Sequence, residues 1–158
     1  MTAKAPRSLE PAAYAARETL VSAVINAALS IGFFLLVFGG VDPVPTWGIG
    51  NYAFDFVPQS FAIGLMATLV PGFLCRSALI AGRIPGGSPL AIGPGSIVTR
   101  ALVNGFLAGS VGAGMCAAAL WASGLDALAS TTAFVLKFAY GALLGAFVTR
   151  SSLGRMFG

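Results

Sequence analysis

The sequence lacks histidine and has few charged residues. None of its 158 residues is histidine, and only 9% are Asp, Glu, Lys or Arg, whereas soluble domains carry about 25% charged residues. The absence of histidine removes the most common general base and the most common metal ligand. The low charge, together with 57% hydrophobic residues, excludes a water-soluble domain and predicts an integral membrane protein.

Cysteine is also scarce. Cys75 and Cys116 lie in different apolar segments and form no CxxC pair, so neither a thiol relay nor a zinc site is indicated. We therefore expect no catalytic centre, no metal site and no cofactor. The formal net charge is +4, but the basic residues are single and separated by long apolar runs. This pattern favours the lipid bilayer as the surroundings of the protein and excludes nucleic acid as a partner.

Four long apolar runs are present instead, and we predict membrane spans at about 19–38, 56–75, 101–122 and 127–149. A helix needs roughly 20 apolar residues, at about 1.5 Å each, to cross the hydrocarbon layer, and each run meets this length. The first run is too long for the apolar region of a signal peptide, so we expect it to be retained. The predicted fold class is an all-α membrane protein with four transmembrane helices.

The remaining segments divide the chain into two helical hairpins, 17–81 and 98–150. Residues 1–16 and 151–158 are predicted to be short tails. Residues 82–97 contain five glycines and three prolines and are predicted to form an irregular linker, because these residues do not sustain a helix through hydrocarbon.

Positive charge lies on one side of this predicted topology. Eight of the nine Lys and Arg residues precede the first span, follow the fourth or flank the linker, and the connections 39–55 and 123–126 contain none. Lys and Arg are retained on the cytoplasmic side of a membrane. Both termini and the linker are therefore predicted to be cytoplasmic, in the plasma (inner) membrane.

The two hairpins also resemble each other in sequence. Residues 71–79 align with 145–153, with Phe, Arg, Ser and Leu in register, and residues 20–23 align with 102–105. The similarity predicts two tandem copies of one hairpin, related by an axis along the membrane normal. The alternative is a chance resemblance between apolar helices that are built from few residue types.

One basic residue, Lys137, lies inside the fourth span. An unpaired lysine there costs about 2.5–3.5 kcal/mol on insertion scales, so we expect its ammonium to contact protein or enclosed water. The candidate polar partners are Asn26, Gln59, Asp55 and Asp126. In one interpretation Lys137 is functional, as a substrate counter-ion, a proton-coupled group or an ion pair with a partner subunit. In the other it is a structural pair, or its side chain extends toward the outer surface.

Small residues recur every fourth position in all four spans, and in the first they are Ser22, Asn26 and Ser30. Helices in lipid associate by close packing at such residues, which predicts either internal packing of a four-helix bundle or an interface with another subunit or a second copy. The glycines concerned are Gly64, Gly72, Gly105, Gly109, Gly141 and Gly145.

Two functions are compatible with these features. The first is a non-catalytic accessory or scaffold subunit of a larger inner-membrane complex, because catalytic groups are lacking and small-residue faces are abundant. The alternative is a small-solute or ion transporter or channel that acts as an oligomer, with a pathway near Lys137, Asn26 and Gln59. Purification in mild detergent separates them, since unrelated subunits co-purify in the first case and only self-oligomers form in the second.

Overall fold

The computed structural model describes residues 10–85 and 93–157, which are mostly helical. A π-helical segment, Ala108–Gly112, joins α3 to α4, so that these two form one long helix. This helix, α1, α2 and α5 are each long and apolar enough to cross a membrane. The α-helices are α1 (Pro11–Phe38), α2 (Tyr52–Ile80), α3 (Pro94–Leu107), α4 (Ala113–Ser123) and α5 (Ser130–Phe157).

Three helices extend beyond the predicted spans into the predicted tails and linker. α1 begins at Pro11 in the predicted tail, α3 begins at Pro94 in the predicted linker, and α5 continues through the second tail to Phe157. The remaining parts of these segments, residues 1–9, 86–92 and 158, lie outside the described residues.

These extensions have a local and a tertiary cause. Proline fits the first helical turn, where its missing N–H would be unpaired in any case, and both α1 and α3 begin with proline. The added turns then pack together, since Tyr14, Ile97, Leu153 and Met156 are buried in one cluster. Glycine and proline content alone therefore does not predict that residues 94–97 are helical.

The same cluster shows that the start of α1, the end of α2, the start of α3 and the end of α5 lie at one end of the bundle. We call this the basic end, because six arginines lie on or next to these helix ends. They are Arg17, Arg76, Arg83, Arg100, Arg150 and Arg155.

The opposite end, which we call the acidic end, carries a small β-bridge. Two short strands, β1 (Val44–Pro45) and β2 (Ala127–Leu128), pair in antiparallel fashion. Asp42 Oδ1 also accepts a hydrogen bond of 2.9 Å from the backbone N–H of Ser130. The α1–α2 connection is therefore tied directly to the α4–α5 connection.

The main packing partners come from different halves of the chain. α1 packs along α5, while α2 packs along α3, the π segment and α4. α2 and α5 also pack against each other and hold the two pairs together. The two helices within each predicted hairpin contact each other far less, so each hairpin buries its surface against the other one.

Large apolar side chains lie on the outside of the bundle as well as in its core, and polar side chains lie between the helices. Large apolar side chains such as Leu36, Leu143 and Phe147 are exposed on the helix surfaces, as expected for helices surrounded by lipid tails. Hydroxyl, amide and charged side chains are buried between the helices. These are Glu18, Ser22, Asn26, Ser30, Ser60, Thr68, Lys137, Thr149 and Ser152.

Glycines allow α1 and α5 to approach closely. A methyl group at Gly141 would overlap Ser30 Oγ and lie 2.8 Å from Asn26 O, and one at Gly145 would lie 2.6 Å from Asn26 Nδ2. Backbone and polar side chains of α1 therefore lie directly on the glycine face of α5.

The other predicted glycines also face helices of the same chain. A methyl group at Gly64 would lie 2.6 Å from Asn104 O, and one at Gly72 would lie 2.8 Å from Ile97 Cγ2. Gly105 and Gly109 pack on Phe61. All six predicted glycines thus lie at helix contacts within the chain. These contacts are present whichever surfaces a partner uses.

The first prediction concerns these contacts. Gly141→Ala should lower the free energy of unfolding by about 1–3 kcal/mol, because α1 and α5 must separate to accept the methyl group. Gly114→Ala is the matched control, since nothing lies within 4 Å of the added carbon, and the better helix propensity of alanine should leave it neutral or stabilising. Thermal unfolding in detergent measures both variants, and equal melting temperatures would contradict the close contact.

Candidate functional site

The most unusual group in the bundle is the buried ammonium of Lys137 in α5. Its Nζ donates hydrogen bonds of 2.7 Å to Asp55 Oδ2 and 2.7 Å to Gln59 Oε1, both on α2. It also lies 3.7 Å from the ring centroid of Phe56 and 5.1 Å from that of Tyr52. An ammonium has three N–H donors, so carboxylate, amide and aromatic ring together surround it. Desolvated cation–π contacts contribute about 2 kcal/mol.

The network continues from α2 to α1. Gln59 uses its oxygen for Lys137 and donates from Nε2 to Ser30 Oγ at 2.7 Å. Ser30 itself is packed against the glycine face of α5. The network of Asp55, Lys137, Gln59 and Ser30, which we call the Lys137 network, therefore binds α1, α2 and α5 to one another.

The two ends of the ion pair differ in exposure. The Lys137 side chain is 1% exposed, whereas that of Asp55 is 18% exposed. Asp55 lies in the first turn of α2, where the unpaired N–H groups of a helix favour negative charge. The carboxylate therefore retains some access to water at the acidic end, while the ammonium depends on protein atoms.

Two of the four partners proposed from the sequence bind Lys137, and two do not. Asn26 bonds within α1 instead, donating from Nδ2 to Ser22 O at 2.8 Å and to Ser22 Oγ at 3.1 Å. Asp126 is exposed in the connection before α5, and its backbone oxygen accepts a hydrogen bond from Thr46 N. The carboxylate that pairs with Lys137 is Asp55.

A tyrosine next to the network also finds a partner. Tyr140 lies one turn beyond Lys137, and its hydroxyl is 2.5 Å from Ser60 Oγ on α2. Gly112, in the π segment, leaves room for this hydroxyl, because a methyl group there would lie 2.6 Å from it. A tyrosine hydroxyl inside an apolar span needs a buried hydrogen-bond partner, and Ser60 supplies it.

Two helix crossings in the middle of the bundle use equivalent residues. In the first, Gly145 and Thr149 of α5 meet α1, and Thr149 Oγ1 lies 2.7 Å from Ser22 Oγ. In the second, Gly64 and Thr68 of α2 meet α3, and Thr68 Oγ1 accepts a 2.8 Å hydrogen bond from an asparagine amide. That asparagine, Asn104, occupies in α3 the place that Ser22 occupies in α1.

Two surface grooves follow from this correspondence. One lies between α1 and α5, with a volume of 360 Å³, and the other lies between α2 and the α3–α4 helix, with a volume of 760 Å³. When residues are counted along each helix from its crossing, most wall residues of the first groove have counterparts in the second. Val24, Ala27, Ala28, Ile31, Phe138 and Ala142 line the first, and Phe106, Gly109, Ser110, Ala113, Val57 and Phe61 take their places in the second.

No cluster of metal ligands occurs in the part of the chain that the structure describes, where no group of three or more His, Cys, Asp or Glu residues comes together. Both cysteines there are free thiols, Cys75 buried and Cys116 half-buried. Neither of them belongs to the Lys137 network.

Comparison with known proteins adds no assignment, since no family model, curated protein or solved structure matches this chain. Its function therefore has to be argued from the packing and from the surfaces described above.

The second prediction concerns the ion pair. Asp55→Leu should destabilise the protein by about 3–5 kcal/mol, because it leaves a buried ammonium without its counter-charge. Lys137→Met should change stability by only about 1 kcal/mol, since the remaining carboxylate is partly exposed and apolar packing replaces the pair.

The double variant Asp55→Leu/Lys137→Met tests the cause of this asymmetry. It removes both charges and should recover most of the stability that Asp55→Leu loses. Thermal unfolding of the three variants in detergent gives the comparison. A double variant as unstable as Asp55→Leu would show that the carboxylate acts through contacts other than Lys137.

Proposed function

We propose that the protein is a non-catalytic accessory or scaffold subunit that holds membrane-spanning helices of partner subunits. The observation that carries this proposal is the pair of equivalent grooves on the bundle surface. The Lys137 network connects three helices inside the bundle. The grooves lie on the outer surface of the bundle, where a partner can reach them.

The lining of the grooves suits a helix. Hydrophobicity gives a helix in lipid no preference for another helix over lipid tails, so association depends on close packing at small residues. Alanine and glycine form much of both walls, including Ala27, Ala28, Gly109 and Ala113. A partner helix in either groove brings its backbone close to these residues, and two such grooves allow one copy to bridge two helices.

The tandem-hairpin interpretation explains why there are two grooves. We infer that α1–α2 and α3–α5 are copies of one hairpin and that each first helix packs on the second helix of the other copy. The crossings favour a register in which Gly64 corresponds to Gly145 and Thr68 to Thr149. This register differs by seven residues, about two helical turns, from the sequence alignment of 71–79 with 145–153.

Charge supports the proposed orientation. We propose that the protein lies in the plasma (inner) membrane with its basic end toward the cytoplasm, as the distribution of Lys and Arg favours. The acidic end, with Asp42, Asp55 and Asp126, then faces the outer side. In this orientation both termini are cytoplasmic and the β-bridge is external.

The third prediction tests the grooves by photo-cross-linking in native membranes. A benzophenone amino acid at Val24 or at Phe106, which are 61% and 66% exposed beside the two grooves, should form an adduct with the same partner polypeptide. Ala28→Trp should remove only the adduct from position 24, and Ser110→Trp only that from position 106, because each fills its own groove.

The matched control is a benzophenone at Leu36, which is 80% exposed and lines neither groove. It should yield lipid adducts alone. Adducts between two copies of this chain would show that the grooves bind a second copy and not a partner subunit. That result would contradict the proposal. A partner adduct from position 36 as strong as those from the grooves would also contradict it.

A second candidate function, transport of protons or small cations, is favoured by one specific observation. Glu18, Ser22, Asn26 and Ser30 recur every fourth residue of α1 and are all buried. Glu18 pairs with Arg17 at 3.3 Å near the basic end, and Ser30 joins the Lys137 network near the acidic end. Buried polar residues in membrane helices often mark ion and proton pathways.

The fourth prediction distinguishes the two functions. Purified protein in vesicles that enclose a pH-sensitive dye should give no proton flux above protein-free vesicles if the scaffold proposal holds. The transport candidate requires a proton flux that Lys137→Met and Glu18→Gln abolish. In these two variants the partner adducts from the grooves should be unaffected. Partner capture that survives Lys137→Met without any flux would eliminate transport.

A further inference from the structure

A third recess, between the α3–α4 helix and α5, differs from the two grooves. It has a volume of 680 Å³, and its walls are apolar over most of their length. Large, flexible side chains, Leu107, Met115, Leu143 and Phe147, line it in addition to smaller ones. The π segment forms part of one wall through Ala108, Val111 and Gly112, and such segments often occur at functional sites.

One end of the recess is polar. At the basic end its lining includes Arg155, which is exposed, and Ser151. The lining contains no carboxylate. In the tandem register the positions on α2 that correspond to these two residues are Leu74 and Val70, so the cation belongs to this recess and is not a feature that the two hairpins share.

We propose that this recess binds an anionic phospholipid, with its phosphate at Arg155 and Ser151 and one acyl chain along the apolar walls. Basic pockets between membrane helices at the cytoplasmic surface characteristically bind anionic headgroups. The inference rests on the proposed membrane orientation but not on the proposed partner subunits, because the recess shares no helix pair with either groove.

The dimensions fit a lipid of one leaflet. From Arg155 to Tyr140 the recess follows α5 for about four turns, or roughly 22 Å. One leaflet contributes about half of the roughly 30 Å hydrocarbon layer. An acyl chain that starts at the level of Arg155 is therefore accommodated along its whole length.

A lipid fits this recess better than a helix does. The small residues that bring helix backbones together line the other two grooves, whereas the recess presents long side chains that can adapt to a flexible chain. The one cation in this lining, where no described residue is acidic, complements a phosphate. The charge at one end and the apolar walls beyond it together favour an amphiphilic ligand.

The test uses photoactivatable phosphatidylglycerol, with a diazirine in one acyl chain, in phosphatidylcholine vesicles that contain the purified protein. Peptide mass spectrometry should place the cross-links at Val111, Leu143 and Phe147. Photoactivatable phosphatidylcholine at the same fraction should label these residues about fivefold less, in keeping with the contribution of one basic residue near an anionic surface.

Two variants and their controls complete the test. Arg155→Gln should lower the labelling by phosphatidylglycerol about fivefold. Arg150→Gln, which removes the same charge from the same helix outside the recess, should change it less than twofold. Val111→Trp should abolish labelling at Leu143 and Phe147 by filling the recess, whereas Leu36→Trp should leave it unchanged.

Equal labelling by the two lipids, or an Arg155→Gln variant that behaves like Arg150→Gln, would overturn the assignment of an anionic lipid. Cross-links spread evenly over the exposed apolar residues of α1 and α5 would overturn the recess as a site. A polypeptide adduct from a benzophenone at Val111 in native membranes, with no recess labelling by lipid, would assign the recess to a partner helix instead.

Discussion

Hydrocarbon offers no hydrogen bonds, so helices that are apolar enough to cross a membrane have to pair their polar side chains with one another. A lysine, an asparagine and a row of hydroxyl groups cannot face lipid without a large cost, so they turn inward and bond to one another. Lys137 imposes the strictest demand, because its charge needs an acid, and Asp55 on another helix supplies it. Gln59 and Ser30 extend the same requirement to a third helix.

Close helix packing follows from these short polar contacts. Hydroxyl and amide groups reach their partners only when the backbones lie near each other, and the glycines of α5 and α2 allow that approach. Gly141 and Gly145 receive Ser30 and Asn26. On α5, close approach and buried polar contact therefore occur at the same positions, because Gly141 and Gly145 lie where Ser30 and Asn26 of α1 pack.

Apolar length predicts the four long helices, and the combination of residue type and depth predicts that Asp55 and Gln59 can reach Lys137. Composition does not predict which helices pair, because α1 and α2 are neighbours in sequence yet each packs mainly on a helix of the other half. The π segment and the contact of Tyr140 with Ser60 escape prediction for a similar reason. They depend on the exact rotation of two helices, and local sequence patterns do not encode that rotation.

The pairing of α1 with α5 has a consequence for how the protein is made. α1 is synthesised well before α5, so its row of Ser22, Asn26 and Ser30 exists before its packing partner does. Until then these side chains can bond within α1, as Asn26 does with Ser22. β1 can pair only after β2 has been synthesised, so neither this helix pair nor the β-bridge forms until most of the chain has been made.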